Sequence, residues 1–234
     1  MKQFSNLYIF CFSSALVLLV AAALSFTSLS LEDKQKENIE IERQQNILAA
    51  LGVQSTKTDV FSKFEQYIKQ SIVIKSDGSV VTGEIAKDID LKKQNEKPVE
   101  ERLLPLYIAE KDGKLHVVIP VRGKGLWGPI WGNVAVENDM NTVCGVTFDH
   151  AGETPGLGAE INTPTFQQQF QKKKLCDQTN KFVSIKVEKH GTYAPNQYTV
   201  DAISGGTITS KAIEAMFKNG LEPYQKYFSQ YKTN

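Results

Sequence analysis

The sequence predicts an α+β protein in which one N-terminal transmembrane helix precedes an extracytoplasmic domain, mainly an antiparallel sheet with flanking helices. Three observations carry that expectation. Leu7 to Phe26 is twenty residues without a charge, which at about 1.5 Å per helical residue matches a hydrocarbon core about 30 Å thick. From Leu103 onward, short β-rich runs are bounded by Gly, Pro or Asn-Asp, as antiparallel strands tend to be. Few helical stretches interrupt those runs, which argues against the regular alternation of a doubly wound sheet.

The apolar run admits two fates. A cleaved signal peptide is one, since Ala21, Ala22 and Ala23 offer a small-residue cleavage site. A retained anchor is the other, and length favours it, because signal cores run about 7–15 residues. Lys2 is the only charged residue among the first 26, whereas Glu32 to Arg43 hold five acids and three bases. That bias predicts the N-terminus inside and the body outside. Cys11, within the span, reads as a membrane-facing thiol.

Beyond the span, Ile39, Ile41, Ile47, Leu48 and Leu51 recur at helical spacings and stop at Gly52, predicting a juxtamembrane helix over Glu32 to Leu51. A second amphipathic helix is expected over Val60 to Val73, broken by Asp77-Gly78. Gly83 to Glu101 is charged and poor in aromatics, the pattern of an exposed irregular segment. Strands are expected at Leu115–Val121, Asn133–Val136, Thr142–Phe148, Val183–Val187 and Tyr198–Ile203, with helices at Thr165–Lys174 and Ile208–Asn219. The predicted division is an anchor over 1–28, a juxtamembrane region over 29–102 and a sheet domain over 103–234.

Composition narrows the function classes. Lys+Arg number 27 against 26 Asp+Glu, so without Lys2 the chain is neutral and lacks the basic field that binds phosphate backbones. Nucleic acid is excluded as a partner. Cys11, Cys144 and Cys176 form no CxxC, and His116, His150 and His190 are scattered, so no protein-ligated metal is expected. Cys144 and Cys176 are read as two thiols in preference to a disulfide.

Three glycine-rich turns stand out. Gly123 to Gly132 holds both tryptophans among four glycines. It is either a hairpin laying Trp127 and Trp131 on the core or an aromatic wall for a planar ligand. Gly152 to Ile161 can present bare N–H groups, because Gly156 and Gly158 permit close backbone approach, or it is a plain tight turn. Asp201 to Lys211 runs from a strand through Gly205-Gly206 into a helix, where free amides, hydroxyls and Lys211 suit an anion. Plain capping by Thr207 or Thr209 is the alternative there.

Together, the motifs GLWG (125–128), ETPGLG (153–158) and D-x-x-S-G-x-T-x-T (201–209), in this order behind one span, resemble the NqrC subunit of the bacterial sodium-translocating NADH:quinone oxidoreductase. The RnfG subunit of the related Rnf ferredoxin:NAD complexes shares the second and third motifs, and GLWG favours the sodium pump. The resemblance implies one FMN, esterified through its phosphate to Thr207 by a separate flavin transferase, in a domain spanning 103–234. Asp201, Ser204 and Gly205 match the attachment motif, and Gly206 stands where the family has alanine. The ring contacts implied are Leu126, Trp127, Glu153, Thr154, Leu157 and Gly158, with Lys211 offsetting the phosphate charge. The implied partners are the other membrane subunits, the transferase and membrane lipid, at the bacterial inner membrane with the domain on its periplasmic side. The competing readings are an Rnf subunit and a non-redox exported binding module.

Overall fold

A computed structural model describes residues 5–231; Lys2, on which the orientation argument rests, lies outside them. The chain divides into two compact units, one up to Arg43 and one from Gln44. In the first, helix α1 (Asn6–Ala50) carries a stretch with mean hydropathy 2.5, long and apolar enough to cross a membrane. The Thr27 and Ser30 hydroxyls donate to the carbonyls of Ala23 and Thr27 one turn back, so neither needs an outside partner. The span and the juxtamembrane helix, expected separately, are one continuous helix, because Thr27 to Leu31 contain neither Gly nor Pro.

The second unit begins with the last turns of α1, which bury Ile47, Leu48 and Ala50. Gly52 ends the helix at φ +71°. Its N–H donates to Ala49 and that of Val53 to Leu48, each at 2.9 Å, the paired bonds of a left-handed stop. Helix α2 (Val60–Tyr67) follows, then strands β1 (Ile68–Ile74) and β2 (Val80–Val81). The helix expected through Val73 therefore stops six residues early. Ile68, Ile72, Val73 and Ile74 are β-branched and pair with residues 104–109 of a later strand, and β-branching favours the extended chain. The irregular segment holds two 3-10 turns, Ala86–Asp88 and Val99–Glu101, and between them one short α-helix, α3 (Leu91–Asn95), with the Asp90 carboxylate accepting from Lys92 N–H at 2.9 Å.

Strands β3 (Leu104–Lys111), β4 (Lys114–Lys124), β5 (Pro129–Glu137) and β6 (Val143–His150) complete a six-stranded antiparallel sheet in the order β2-β1-β3-β4-β5-β6. Thr163 caps helix α4 (Pro164–Gln168), which ends well before Lys174. Lys172 sits at φ +62° and donates to Val143, whose N–H donates back to Lys173, so the edge of β6 captures the chain. The two expected later strands shrink to β7 (Lys186–Glu188) and β8 (Thr199–Asp201), which pair in parallel rather than antiparallel. Ser184 at φ +62° breaks the first, and residues 189–198 form the connection that parallel pairing requires.

Helix α5 (Thr207–Leu221) and the short α6 (Gln225–Tyr231) close the chain. A buried cluster of Phe148, Phe166, Phe170 and Phe217, with ring centroids 5.0–6.2 Å apart, joins α5 to β6 and α4. Gly123 and Gly220 let α5 settle on β4: a methyl at either would lie 3.0 Å from Met216 or Val121. Cys144 and Cys176 are free thiols.

Candidate functional site

The seating of α5 against β4 and β6 brings all three glycine-rich turns to one end of the sheet, and Glu153 ties them together. Its side chain is only 4% exposed. One oxygen, Oε1, accepts the Trp127 N–H at 2.9 Å, and the other, Oε2, accepts the Thr209 hydroxyl at 2.5 Å. Its own N–H donates to His150 Nδ1 at 3.2 Å. Burial, the largest single influence, pushes the carboxyl up. Donors from Thr209, Trp127 and Gly128 together outweigh it and hold the group below the ordinary glutamate range.

The glycines make room for this carboxylate. A methyl on Gly125 would come within 2.5 Å of Glu153 Oε1, and one on Gly158 within 2.6 Å of Oε2. Gly125 N–H closes the first turn on the Gly128 carbonyl at 2.8 Å. Gly205, at φ +73°, brings the third turn so near the second that a methyl there would lie 2.6 Å from Leu157 Cδ2.

Around this hub the surface is apolar. Trp127 is 70% exposed, Leu126 47%, Leu157 40% and Ile208 58%. Trp127 is therefore not a core residue, whereas Trp131 is half-buried within β5. Thr154 lies on the exposed rim, its carbonyl accepting from Leu157 and Ala159 at 3.1 Å.

Neither threonine of the third turn caps the helix. Gly206 is the capping residue and has no side chain to offer, so α5 opens with bare amides. Thr207 and the neighbouring Ser204 are exposed, and the Thr207 hydroxyl makes no hydrogen bond among the described residues. Ser210 is buried and accepts from Ile203 N–H at 3.0 Å, bracing the turn from within.

Two expected residues are engaged elsewhere. Lys211 bonds Glu188 and Glu214, each at 3.1 Å; desolvation opposes its charge, but these two carboxylates prevail and raise its pKa. Asp201 pairs with His190 at 2.9 Å and accepts the Tyr193 hydroxyl at 3.0 Å. The bond to His190 leads in holding its carboxyl low, while burial and Asp201 push Tyr193 up to about 12. Sequence reasoning misses His150 and the inward role of Thr209. Helical phase is the available signal, because residues two apart on a helix face opposite ways.

An exposed hydroxyl beside bare helix-start amides, bordered by apolar and aromatic side chains, fits a planar ring with a phosphate tail. Residues 125–222 match the family model described as the FMN-binding domain. The NqrC subunit of the Na(+)-translocating NADH-quinone reductase from Vibrio vulnificus is 33% identical over 221 residues, 86% of this chain and 85% of its own. That from Neisseria meningitidis is 32% identical over 246 residues, covering 95% and 93%. The crystal structure of the same subunit from Parabacteroides distasonis superposes with TM-score 0.78 at 36% identity, covering 85% of this chain and 97% of that one. Shewanella oneidensis NqrC gives 0.73 at 30%, covering 86% and 100%. Motifs, fold and kinship over most of its length agree, and the chain belongs to the NqrC family of Na(+)-translocating NADH-quinone reductase subunits.

Proposed function

We propose that this chain is a membrane-anchored flavoprotein subunit that carries FMN as a phosphoester on Thr207. It relays electrons between neighbouring subunits of a sodium-pumping NADH:quinone oxidoreductase in the bacterial inner membrane. The observation that carries the attachment is the contrast between two threonines. Thr207 is exposed with its hydroxyl unengaged, while Thr209 is buried and committed to Glu153.

Each side chain then has a task. Thr207 Oγ1 is the atom that a flavin transferase esterifies. It replaces the leaving nucleoside monophosphate on the flavin-side phosphorus of an activated flavin dinucleotide, the phosphoanhydride bond breaking and the hydroxyl proton passing to solvent. The amides opening α5 orient the anion. Leu126, Trp127, Leu157 and Ile208 shelter an apolar ring, with Thr154 and Gly158 at its polar edge. Glu153 fixes the three turns before any ligand arrives. Lys211 serves its two carboxylates first and leaves the phosphate to backbone amides. Asp201, Ser204 and Gly205 shape the loop read by the transferase. The flavin, when bound, supplies the redox chemistry; no general acid, base or nucleophile is asked of the protein.

Residues 1–28 serve as the anchor and 103–234 as the body of the FMN-binding domain, on the periplasmic side. Residues 29–102 supply the link and two strands of the sheet. The test is the intact mass and peptide map of protein coexpressed with a flavin transferase in an exporting host. One FMN on the peptide containing Thr207 is expected, and an unmodified chain would return the non-redox binding module to the front.

A further inference from the structure

Beside the flavin turns lies a groove of about 1320 Å³ that none of the proposed roles uses. It is lined by Gly123 of β4, by Ala212 and Met216 of α5, by residues from α3 to Arg102, and by Pro129, next in sequence to the turn that carries Trp127. The groove is larger than the roughly 300–1,000 Å³ typical of small-ligand clefts.

Its lining carries more cations than carboxylates, Lys92, Arg102, Arg122, Lys124 and Lys226 against Glu96, Glu100 and Glu222. Arg102 and Arg122 are half-buried, whereas the three lysines and the three glutamates are exposed. Arg102 donates only to backbone carbonyls, those of Lys97 at 2.9 Å and Asn95 at 3.2 Å. Arg122, Lys92 and Lys124 have no side-chain hydrogen bond or ion pair among the described residues. With Lys226, five cationic groups thus line one groove, none of them in an ion pair with a carboxylate of the described residues. Guanidinium groups in half-buried sites match carboxylates in both geometry and charge.

We propose that this groove seats an acidic, partly apolar segment of another subunit of the same complex. The assignment rests on the flavoprotein-subunit reading and names where its electron partner docks. Gly128 belongs both to the groove and to the turn that carries Trp127, and Ala212 lies one helical turn beyond Ile208. A segment seated there lies against the flavin-bearing end of the domain. The cations steer its carboxylates into register, and the apolar lining at Met216 and Pro129 takes its apolar side chains.

The test uses the complete complex, purified through a different subunit. Arg122→Glu with Lys124→Glu breaks no intramolecular pair, so the fold and the ester on Thr207 should persist. Retention of the subunit in the complex should fall at least tenfold, while the exposed Lys87→Glu has no effect. In the unaltered complex, zero-length carbodiimide coupling should join Lys92 or Lys124 to an Asp or Glu of a neighbouring subunit. Retention of the folded double variant within twofold of the parent overturns the proposal; so does loss of a bound lipid or other small anion with assembly intact. If the double variant fails to fold, the coupling decides, and its absence counts against the groove. Normal assembly of the unaltered chain with an unmodified Thr207 would instead remove the flavin reading and leave the docking assignment standing.

Discussion

Thr209 donates its hydroxyl to Glu153 across 2.5 Å, from a position only two residues past the exposed Thr207. Two residues turn a helix through about 200°, so one hydroxyl closes the site from inside while the other is offered to solvent. The site thereby separates what holds it together from what it presents.

Thr207→Ala should therefore abolish covalent FMN while changing stability by no more than about 0.5 kcal/mol, as for an exposed residue without a partner. Thr209→Ala should show the reverse pattern. It costs about 1–3 kcal/mol by leaving a buried carboxylate short of a donor, yet keeps the flavin on Thr207. Intact mass and urea unfolding read the two effects separately, and FMN found on Thr209 would sink the assignment.

Glu153 predicts a pH dependence. Its folded pKa lies below the unfolded value, which is about 4.3. The stabilisation is thus complete above that value and is lost as pH falls through the folded pKa. Glu153→Gln has no carboxyl to titrate. The gap in unfolding free energy between parent and variant should be level above about pH 5.5 and shrink below about pH 4. A gap that stays constant down to about pH 3 would show that the carboxylate is not held low.

Two glycines of the same turn should part company. Gly158→Ala drives a methyl against Glu153 and Thr209 and should cost about 1–3 kcal/mol, as overpacking does. Gly152→Ala meets nothing within 4 Å at an ordinary φ and should be neutral or slightly stabilising. Thermal unfolding compares them, and equal losses would contradict the hub.

Gly206→Ala restores the residue expected from the family resemblance. The backbone there is at φ −100°, which alanine accepts, and the new methyl would meet Ile203 at 3.0 Å. Ile203 is only half-buried and can yield by a few tenths of an ångström. Stability should rise by up to about 0.5 kcal/mol, with the unfolded chain losing freedom, and flavin incorporation should persist. A clear drop in melting temperature would show that Ile203 is locked.

What is legible in the sequence is local. An uncharged run of twenty residues has one strong physical reading, and three glycine clusters mark backbones that must come close to something. The Thr207–Leu221 helix is visible because Ile213, Met216, Phe217 and Leu221 repeat on one buried face. The first strand of the sheet, Ile68–Ile74, passes for the end of a helix, since a few apolar residues after Phe64 satisfy either period. The parallel pairing of Lys186–Glu188 with Thr199–Asp201 depends on a crossover that no local pattern records. The motif alone places Glu153 beside the ring. Its role as hub becomes visible only when residues 26 and 56 positions away in sequence meet on its two oxygens. Lys211 likewise reads as a free cation because Glu188 is distant in sequence.

The exposure of Trp127 makes the site self-reporting. The chain has two tryptophans, one facing solvent at the flavin-binding end and one half-buried in the neighbouring strand. Their emissions differ in colour, since water shifts indole fluorescence to the red. Oxidised flavin absorbs where indole emits and quenches by energy transfer, most strongly at close range. The redder component belongs to Trp127 and should fade first as Thr207 is esterified, so loading can be followed in unlabelled protein by the colour of the light that remains.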